Sequence, residues 1–263
     1  MPSIYVGDLW INVIDRGMGS PVLLVHGFPL DHRMWNEQIE LLSTRHRVIA
    51  PDLRGFGGSF GAAGTTTMAR FADDLRLVLD QLRVDEPVAF CGLSMGGYIA
   101  FEFWRRHSVR VGSLVLCDTK SAADAPEAAR NRRLLADRIL AAGADDLADL
   151  MLPKLLAPAS INNQPQTVER IREMIVKAEA PGVAAALRGM AERADSTGIL
   201  GEIHVPTLCI VGEQDAITPP DEMQEMAAKM PNATCVIIPE VGHMTPMENP
   251  HAVNDSLLAF LRL

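Results

Sequence analysis

Short runs of consecutive apolar residues alternate with longer amphipathic segments along this chain, and this alternation limits the folds that it can adopt. Because the runs are rich in Val, Leu and Ile, they are typical of strands buried on both faces of a parallel sheet. Helices that join such strands form right-handed crossovers. The sequence therefore predicts an α/β fold with a mostly parallel, doubly wound sheet. The predicted strands of this sheet are 22–25, 47–50, 87–91, 112–117, 207–211 and 234–238.

Helical spacing of apolar residues fills most of the intervals between these strands. Two earlier apolar runs, 3–6 and 9–14, predict a β-hairpin that leads into the sheet. The helices predicted to cover the sheet are 35–44, 68–82, 95–106, 220–230 and 251–262.

The stretch from 121 to 201 breaks the alternation, because it has helical periodicity and no strand pattern. Such an insertion is either an independent module or a lid over an active site. The strand pattern resumes at 207, which places the insertion inside one domain and favours the lid. We therefore predict an α/β core formed by 1–120 and 202–263 and a helical cap formed by 121–201. Helices within the cap are predicted at 128–142, 147–155, 167–178 and 183–193.

The strongest chemical signal is the run GLSMGG at 92–97, which fits the pattern G-x-S-x-G. It follows a predicted strand and opens a helix, which is the context that a nucleophilic serine on a strained turn requires. Small flanking residues permit the close backbone packing of such a turn. The alternative is a serine that only caps the helix. The strand–turn–helix context favours Ser94 as the nucleophile.

A second signal is the run HGFP at 26–29, directly after the first parallel strand. A loop at this place can direct a backbone N–H at a developing oxyanion, for which only correct placement is needed. We assign the N–H groups of Phe28 and Met95 as the oxyanion hole. His26 is interpreted as a structural histidine, because it precedes every strand that is expected to present the base.

The general base is expected late in the chain. His243 alone among the seven histidines lies on a glycine-flanked loop after the last strand. Asp215, which follows the preceding strand, is predicted to orient it, since the order Ser–Asp–His is typical of such sites. Asp118 is a rival acid at the end of another strand, and Glu213 and Asp221 are weaker ones. The pocket is predicted to include Trp35, Asp118 and Met244, with core packing as the alternative.

Composition excludes several other classes of protein. The formal net charge of −9 argues against general binding to a nucleic-acid backbone, and no apolar run approaches the ~20 residues of a transmembrane helix. The N-terminus does not have the pattern of a signal peptide. The four cysteines lie in strand-like runs without the spacing of a zinc site, which predicts reduced, buried thiols, no metal and a cytoplasmic location.

Five motifs in this order resemble the α/β-hydrolase superfamily: HGFP at 26–29, DLRGFGGS at 52–59, GLSMGG at 92–97, GEQD at 212–215 and GHM at 242–244. The resemblance implies an eight-stranded, mostly parallel sheet, a helical cap inserted after strand 6 and hydrolysis through an acyl-enzyme. Within the superfamily, LCDT at 116–119 and APE at 125–127 are similar to carboxylesterases and 3-oxoadipate enol-lactonase-like proteins.

The predicted function is therefore that of a serine hydrolase acting on small-molecule esters or lactones, with no cofactor. Hydrolysis of a C–C bond or perhydrolysis with the same residues is an alternative, and so is a non-catalytic small-molecule receptor on this fold. The predicted partners are the substrate alone, without nucleic acid or membrane. A monomer and a homodimer are both compatible with the sequence.

Overall fold

Eight β-strands form a single sheet in the computed structural model, which describes residues 3–261. In chain order they are β1 (Ser3–Tyr5), β2 (Trp10–Arg16), β3 (Pro21–Val25), β4 (Arg47–Pro51), β5 (Val88–Leu93), β6 (Val111–Cys117), β7 (Thr207–Gly212) and β8 (Ala233–Ile238). The order across the sheet is β1-β2-β4-β3-β5-β6-β7-β8. β1 and β2 pair in antiparallel fashion, and so do β2 and β4, whereas every pair from β4 to β8 is parallel.

Helices cover both faces of the sheet. Outside the segment between β6 and β7, the helices are α1 (Asn36–Leu42), α2 (Met68–Gln81), α3 (Met95–His107), α9 (Pro220–Ala228), α10 (Thr245–Glu248) and α11 (Pro250–Phe260). Between β6 and β7 lie α4 (Pro126–Ala142), α5 (Leu147–Leu155), α6 (Pro158–Asn163), α7 (Pro165–Lys177) and α8 (Ala180–Ala191). The predicted fold class, an eight-stranded and mostly parallel α/β sheet, is confirmed. The end of the predicted last helix, Arg262, lies outside the described residues.

Two local differences from the predicted elements have physical reasons. Residues 35–44 were expected to form one helix, but a 3₁₀ turn at His32–Trp35 precedes α1, and the Asp31 side chain caps that turn by accepting from the Arg33 N–H at 2.9 Å. The helix α6 was not predicted, because its six residues between Pro158 and Pro165 are too few to show a period.

The central strands are buried on both faces, as their composition indicated. All five residues of β3 and all six of β7 are buried, and they contribute to one continuous hydrophobic core. Since strands β3 to β8 are parallel, their carboxyl ends meet at one edge of the sheet, where open α/β sheets place their ligands. The predicted catalytic residues Ser94, Asp215 and His243 follow these ends directly or by a short loop.

One of the helices between β6 and β7, α8, packs against the chain that follows the carboxyl end of β4. In α8, Gly182 packs so closely on Gly55 that a Cβ on either residue would overlap the backbone of the other. Gly189 approaches the carbonyl of Thr66 in the same way. These small residues therefore allow α8 to lie directly against the loop that follows β4. None of the helices within residues 3–261 has both the length and the apolarity needed to cross a membrane.

Candidate active site

Ser94 lies on a sharp turn between β5 and α3. Its backbone has φ 53° and ψ −110°, a conformation that is strained for a residue with a side chain. The turn is held by the Ser94 N–H, which donates to the Cys117 carbonyl at 2.9 Å. Gly92 and Gly96 are required here, because a Cβ on Gly92 would overlap the Gly96 carbonyl and a Cβ on Gly96 would overlap the Val25 carbonyl. The strained turn thus presents Ser94 at the carboxyl edge of the sheet.

The loop after β3 runs beside this serine. A Cβ placed on Gly27 would lie 2.7 Å from Leu93 Cδ2, 3.3 Å from the Leu93 carbonyl oxygen and 3.5 Å from Ser94 Cβ, so the loop passes close to the turn of Ser94. Phe28, half-buried, is the next residue on the loop. On the other side of Ser94, Met95 is the first residue of α3, and N–H groups in a first helical turn have no acceptor within the helix. The predicted oxyanion donors therefore lie on the two segments that flank Ser94.

His26 fixes the start of the loop that carries Phe28. Its Nε2 accepts from the Leu53 N–H at 2.9 Å, and because a backbone N–H can only donate, the ring proton is on Nδ1. Nδ1 in turn donates to the Gly27 carbonyl at 2.9 Å. Burial lowers the pKa of His26, which keeps the ring neutral. This is the structural role that the sequence predicted for this histidine.

His243 and Asp215 form a buried hydrogen-bonded pair. The distance between His243 Nδ1 and Asp215 Oδ2 is 2.8 Å. Thr218 Oγ1 also donates to Oδ2, at 2.6 Å, and the N–H groups of Ile217 and Thr218 donate to Oδ1 at 2.8 and 3.0 Å. Burial acts to raise the pKa of Asp215, but the neighbouring His243 and the hydrogen bonds from Thr218 outweigh it, so that the pKa lies below its ordinary value. An ionised Asp215 can hold the Nδ1–H tautomer of His243.

Asp118, the rival acid, has different partners. Its Oδ1 accepts from the Gly212 N–H at 3.0 Å and its Oδ2 from Thr245 Oγ1 at 2.6 Å. The residue is fully buried, and burial, followed by the negative charge of Asp215, raises the pKa of its carboxyl well above the ordinary value. Asp118 therefore connects the end of β7 to the start of α10 and makes no hydrogen bond with His243 among the described contacts.

We expect the variant Asp118→Asn to keep hydrolytic activity within about threefold. Asparagine tolerates the left-handed backbone at this position, where φ is 45°. Its amide can retain the contacts with the Gly212 N–H and the Thr245 hydroxyl if that hydroxyl accepts instead of donating, and it loses only the longer contact, 3.4 Å, between Oδ2 and the Thr245 N–H. The measurement is kcat/KM beside that of Asp215→Asn. If Asp118→Asn lost its activity while Asp215→Asn kept it, Asp118 and not Asp215 would be the acid that orients His243.

The same variant also makes a prediction about stability. A carboxyl whose pKa is raised by folding contributes stability below its unfolded value of 3.8, and that contribution is lost as the pH rises through its folded value. Asparagine has no proton to lose. The free energy of unfolding of Asp118→Asn, relative to the parent, should therefore increase from pH 4 to pH 7. Urea denaturation at the two pH values measures this difference, and a decrease would contradict it.

The structure places the predicted pocket residues Trp35 and Met244 in the hydrophobic core, each with 0% of its surface exposed. Trp35 Nε1 is buried without a hydrogen-bond partner among the described atoms. The Phe28 ring packs edge-on against Phe56, with their centroids 6.1 Å apart. That these residues and Asp118 contact substrate stays a prediction.

A group of possible metal ligands lies in the DLRGFGGS region and the turn before α1. Ligand atoms of Asp31, His32 and Asp52 lie within 4.8 Å of one another. Asp31 is engaged in a two-pronged ion pair with Arg33, and Asp52 Oδ1 is 2.6 Å from His32 Nδ1. Although burial opposes ionisation of Asp52, hydrogen bonds from His32 and Gly58 lower its pKa to about 2. The carboxylates thus have protein partners that account for their burial.

Glu248 is a buried acidic residue for which the sequence analysis predicted no role. Its carboxylate accepts from the backbone on either side of His243. The only sequence signal is its position, five residues after a histidine on a glycine-flanked loop.

Comparison with known proteins supports the fold. A family model described as alpha/beta hydrolase fold matches residues 20–250. The solved structure of a thermophilic esterase from Thermogutta terrifontis is 46% identical, with a TM-score of 0.95 over 97% of this chain and 93% of that one. The 3-oxoadipate enol-lactonase 2 of Acinetobacter baylyi is 26% identical over 257 residues, or 97% of this chain and 94% of that protein. The dihydrolipoyllysine-residue acetyltransferase component of the acetoin cleaving system of Pseudomonas putida is 31% identical over 96% of this chain, which spans 66% of that protein.

Proposed function

This chain belongs to the alpha/beta hydrolase fold family, and from that premise we propose that it is a serine hydrolase that cleaves small-molecule carboxylic esters or lactones. The observation that carries the proposal is the buried His243–Asp215 pair, with 2.8 Å between Nδ1 and Oδ2, at the same sheet edge as the strained turn of Ser94. The names of two relatives, an esterase and an enol-lactonase, support the substrate class.

The proposed reaction begins with attack of Ser94 Oγ on the carbonyl carbon. His243 accepts the hydroxyl proton at Nε2, since its Nδ1–H is donated to Asp215, whose charge stabilises the imidazolium. The N–H groups of Phe28 and Met95 stabilise the negative charge that develops on the carbonyl oxygen, and each such donor is typically worth ~10²–10³ in rate.

Collapse of the tetrahedral intermediate breaks the ester C–O bond. His243 returns its proton to the leaving alkoxide, and the acyl group remains on Ser94. Water then attacks the acyl carbon and gives a proton to Nε2. When the bond between that carbon and Ser94 Oγ breaks, His243 returns the proton to Oγ and the acid is released. A lactone follows the same steps, with the alcohol still attached to the acyl group.

The test is hydrolysis of p-nitrophenyl acetate, p-nitrophenyl hexanoate and a small lactone by the purified protein. We expect turnover of at least one ester with a burst of p-nitrophenol that is stoichiometric with enzyme, and the preferred chain length then measures the pocket. A folded protein without turnover of esters or lactones would overturn the proposal. Assays on that protein with a C–C substrate, with hydrogen peroxide and acetate, and for ligand-induced changes in Tm would then separate the other readings of the site.

The proposed partner is the small-molecule substrate alone, without nucleic acid or membrane. The helical segment 121–201 is proposed to act as the lid that covers it. The cytoplasmic location stays a prediction, and so does the oligomeric state, which is either a monomer or a homodimer.

A further inference from the structure

The backbone that carries His243 is anchored at three consecutive N–H groups. Those of Gly242 and Met244 both donate to Glu248 Oε1, at 2.9 and 3.1 Å. That of His243 itself donates to the carbonyl of Leu155, at 2.9 Å. One carboxylate oxygen therefore holds the N–H groups of the residues before and after the histidine.

The second oxygen of the same carboxylate reaches the cap. Glu248 Oε2 accepts from the Ala157 N–H at 2.9 Å, and Ala157 lies between α5 and α6. The Glu248 carbonyl accepts from Gln164 Nε2 at 3.1 Å, which adds a second contact with the cap. Contact is close here, since a Cβ on Gly242 would lie 2.6 Å from the Ala157 nitrogen. The loop of His243 and the α5–α6 turn are thus joined through one side chain.

Glu248 is 5% exposed, and no Lys, Arg or His side chain within residues 3–261 forms an ion pair with it. A buried carboxylate is costly unless it is hydrogen-bonded, and three backbone donors meet that requirement. A glutamine of the same shape cannot, because its NH₂ group would face an N–H donor on one side or the other. The site therefore requires a carboxylate.

We propose that Glu248 is a positioning residue that fixes the imidazole of His243 and couples its position to the seating of the cap. The inference rests on the proposed role of His243 as the base. Glu248 does not touch the reacting atoms. It acts through the backbone of 242–244, so its loss should displace the base rather than remove it.

The test compares Glu248→Gln with the parent on two acetate esters. p-Nitrophenolate leaves without a proton, whereas ethanol requires one from His243. Because kcat/KM reports the steps up to acylation, it depends on whether the leaving group needs a proton. Since general acid–base catalysis contributes ~10²–10⁴ and a 1 Å misplacement costs about 10², we expect kcat/KM to fall about tenfold on p-nitrophenyl acetate and about 100-fold on ethyl acetate. Glu248→Asp, which keeps the charge but is one methylene shorter, should also lose more activity on ethyl acetate than on p-nitrophenyl acetate. Glu169→Gln, at an exposed position of α7, controls for the lost charge and should match the parent.

A spectroscopic readout separates this inference from the proposed function. The proton between His243 Nδ1 and Asp215 should give a low-field ¹H NMR resonance in the parent that disappears in Asp215→Asn. We expect Glu248→Gln to shift or broaden it, whether or not a substrate has been found. If the parent does not hydrolyse esters but the resonance moves, the proposed function fails and the positioning role stands. An unmoved resonance, or an equal loss of kcat/KM on both esters in folded protein, would overturn the positioning role.

Discussion

Replacement of Ser94 by alanine is expected to lower kcat for ester hydrolysis by at least about 10⁴-fold, because the oxyanion donors and the binding pocket alone provide little of the rate. The loss should come without unfolding. Ser94 has φ 53°, and alanine bears nearly the same backbone strain there as serine. Ester turnover and the thermal unfolding curve of the same preparation check both statements.

Ser256→Ala is the matched control for this variant. Ser256 is a partly buried serine of α11 that donates to the Ala252 carbonyl at 2.8 Å, away from the proposed chemistry. It should keep the activity of the parent. Retention of more than about a tenth of the activity in Ser94→Ala would exclude Ser94 as the nucleophile, because loss of the attacking group leaves only a small residual rate.

The variant Asp215→Asn is expected to lose about 10³–10⁴ in kcat at neutral pH, the size of effect found when the acid of another serine hydrolase is changed in this way. The N–H groups of Ile217 and Thr218 donate to Oδ1 and cannot accept, whereas the Thr218 hydroxyl at Oδ2 can accept as well as donate. The asparagine NH₂ is therefore placed at Oδ2, where it donates to His243 Nδ1. That contact moves the histidine proton to Nε2, where it prevents acceptance of the serine proton.

The pH dependence of stability gives a second view of Asp215. Because its pKa is lowered by folding, its contribution to stability is present above its unfolded value of 3.8 and is lost as the pH falls through its folded value. Asp215→Asn should thus lower the free energy of unfolding, measured in urea, more at pH 7 than at pH 3.

For the activity of the same variant, a kcat within tenfold of the parent would contradict the assignment of Asp215 as the acid.

The sequence could predict the sheet and the turn that carries Ser94 because both depend on local patterns. Apolar runs without alternation indicate buried parallel strands wherever they occur, and G-x-S-x-G places small residues around Ser94 at fixed spacing. The structure adds that β5 continues through Gly92 and Leu93, which pair with Leu116 and Cys117. The strand therefore ends directly at Ser94.

The relation between Asp118 and Asp215 could not be settled from the pattern, since both follow parallel strands of the same sheet. It depends on which loop the histidine reaches across the sheet edge, a matter of tertiary geometry. His243 contacts Asp215, and Asp118 instead contacts Thr245, two residues beyond it. Glu248 was missed for the same reason. Its contact with Ala157 joins residues that are 91 positions apart, and no local period reports such a pair.

The most direct test of the central claim is to trap the acyl-enzyme. The protein is mixed with p-nitrophenyl acetate, quenched in acid within the burst, digested and analysed by peptide mass mapping, with Ser94→Ala treated alongside. The account predicts one acetyl group on the peptide that contains Ser94 and none on the corresponding peptide of the variant. Turnover with no acetyl group on Ser94, or with the acetyl group on another residue of the parent, would contradict it.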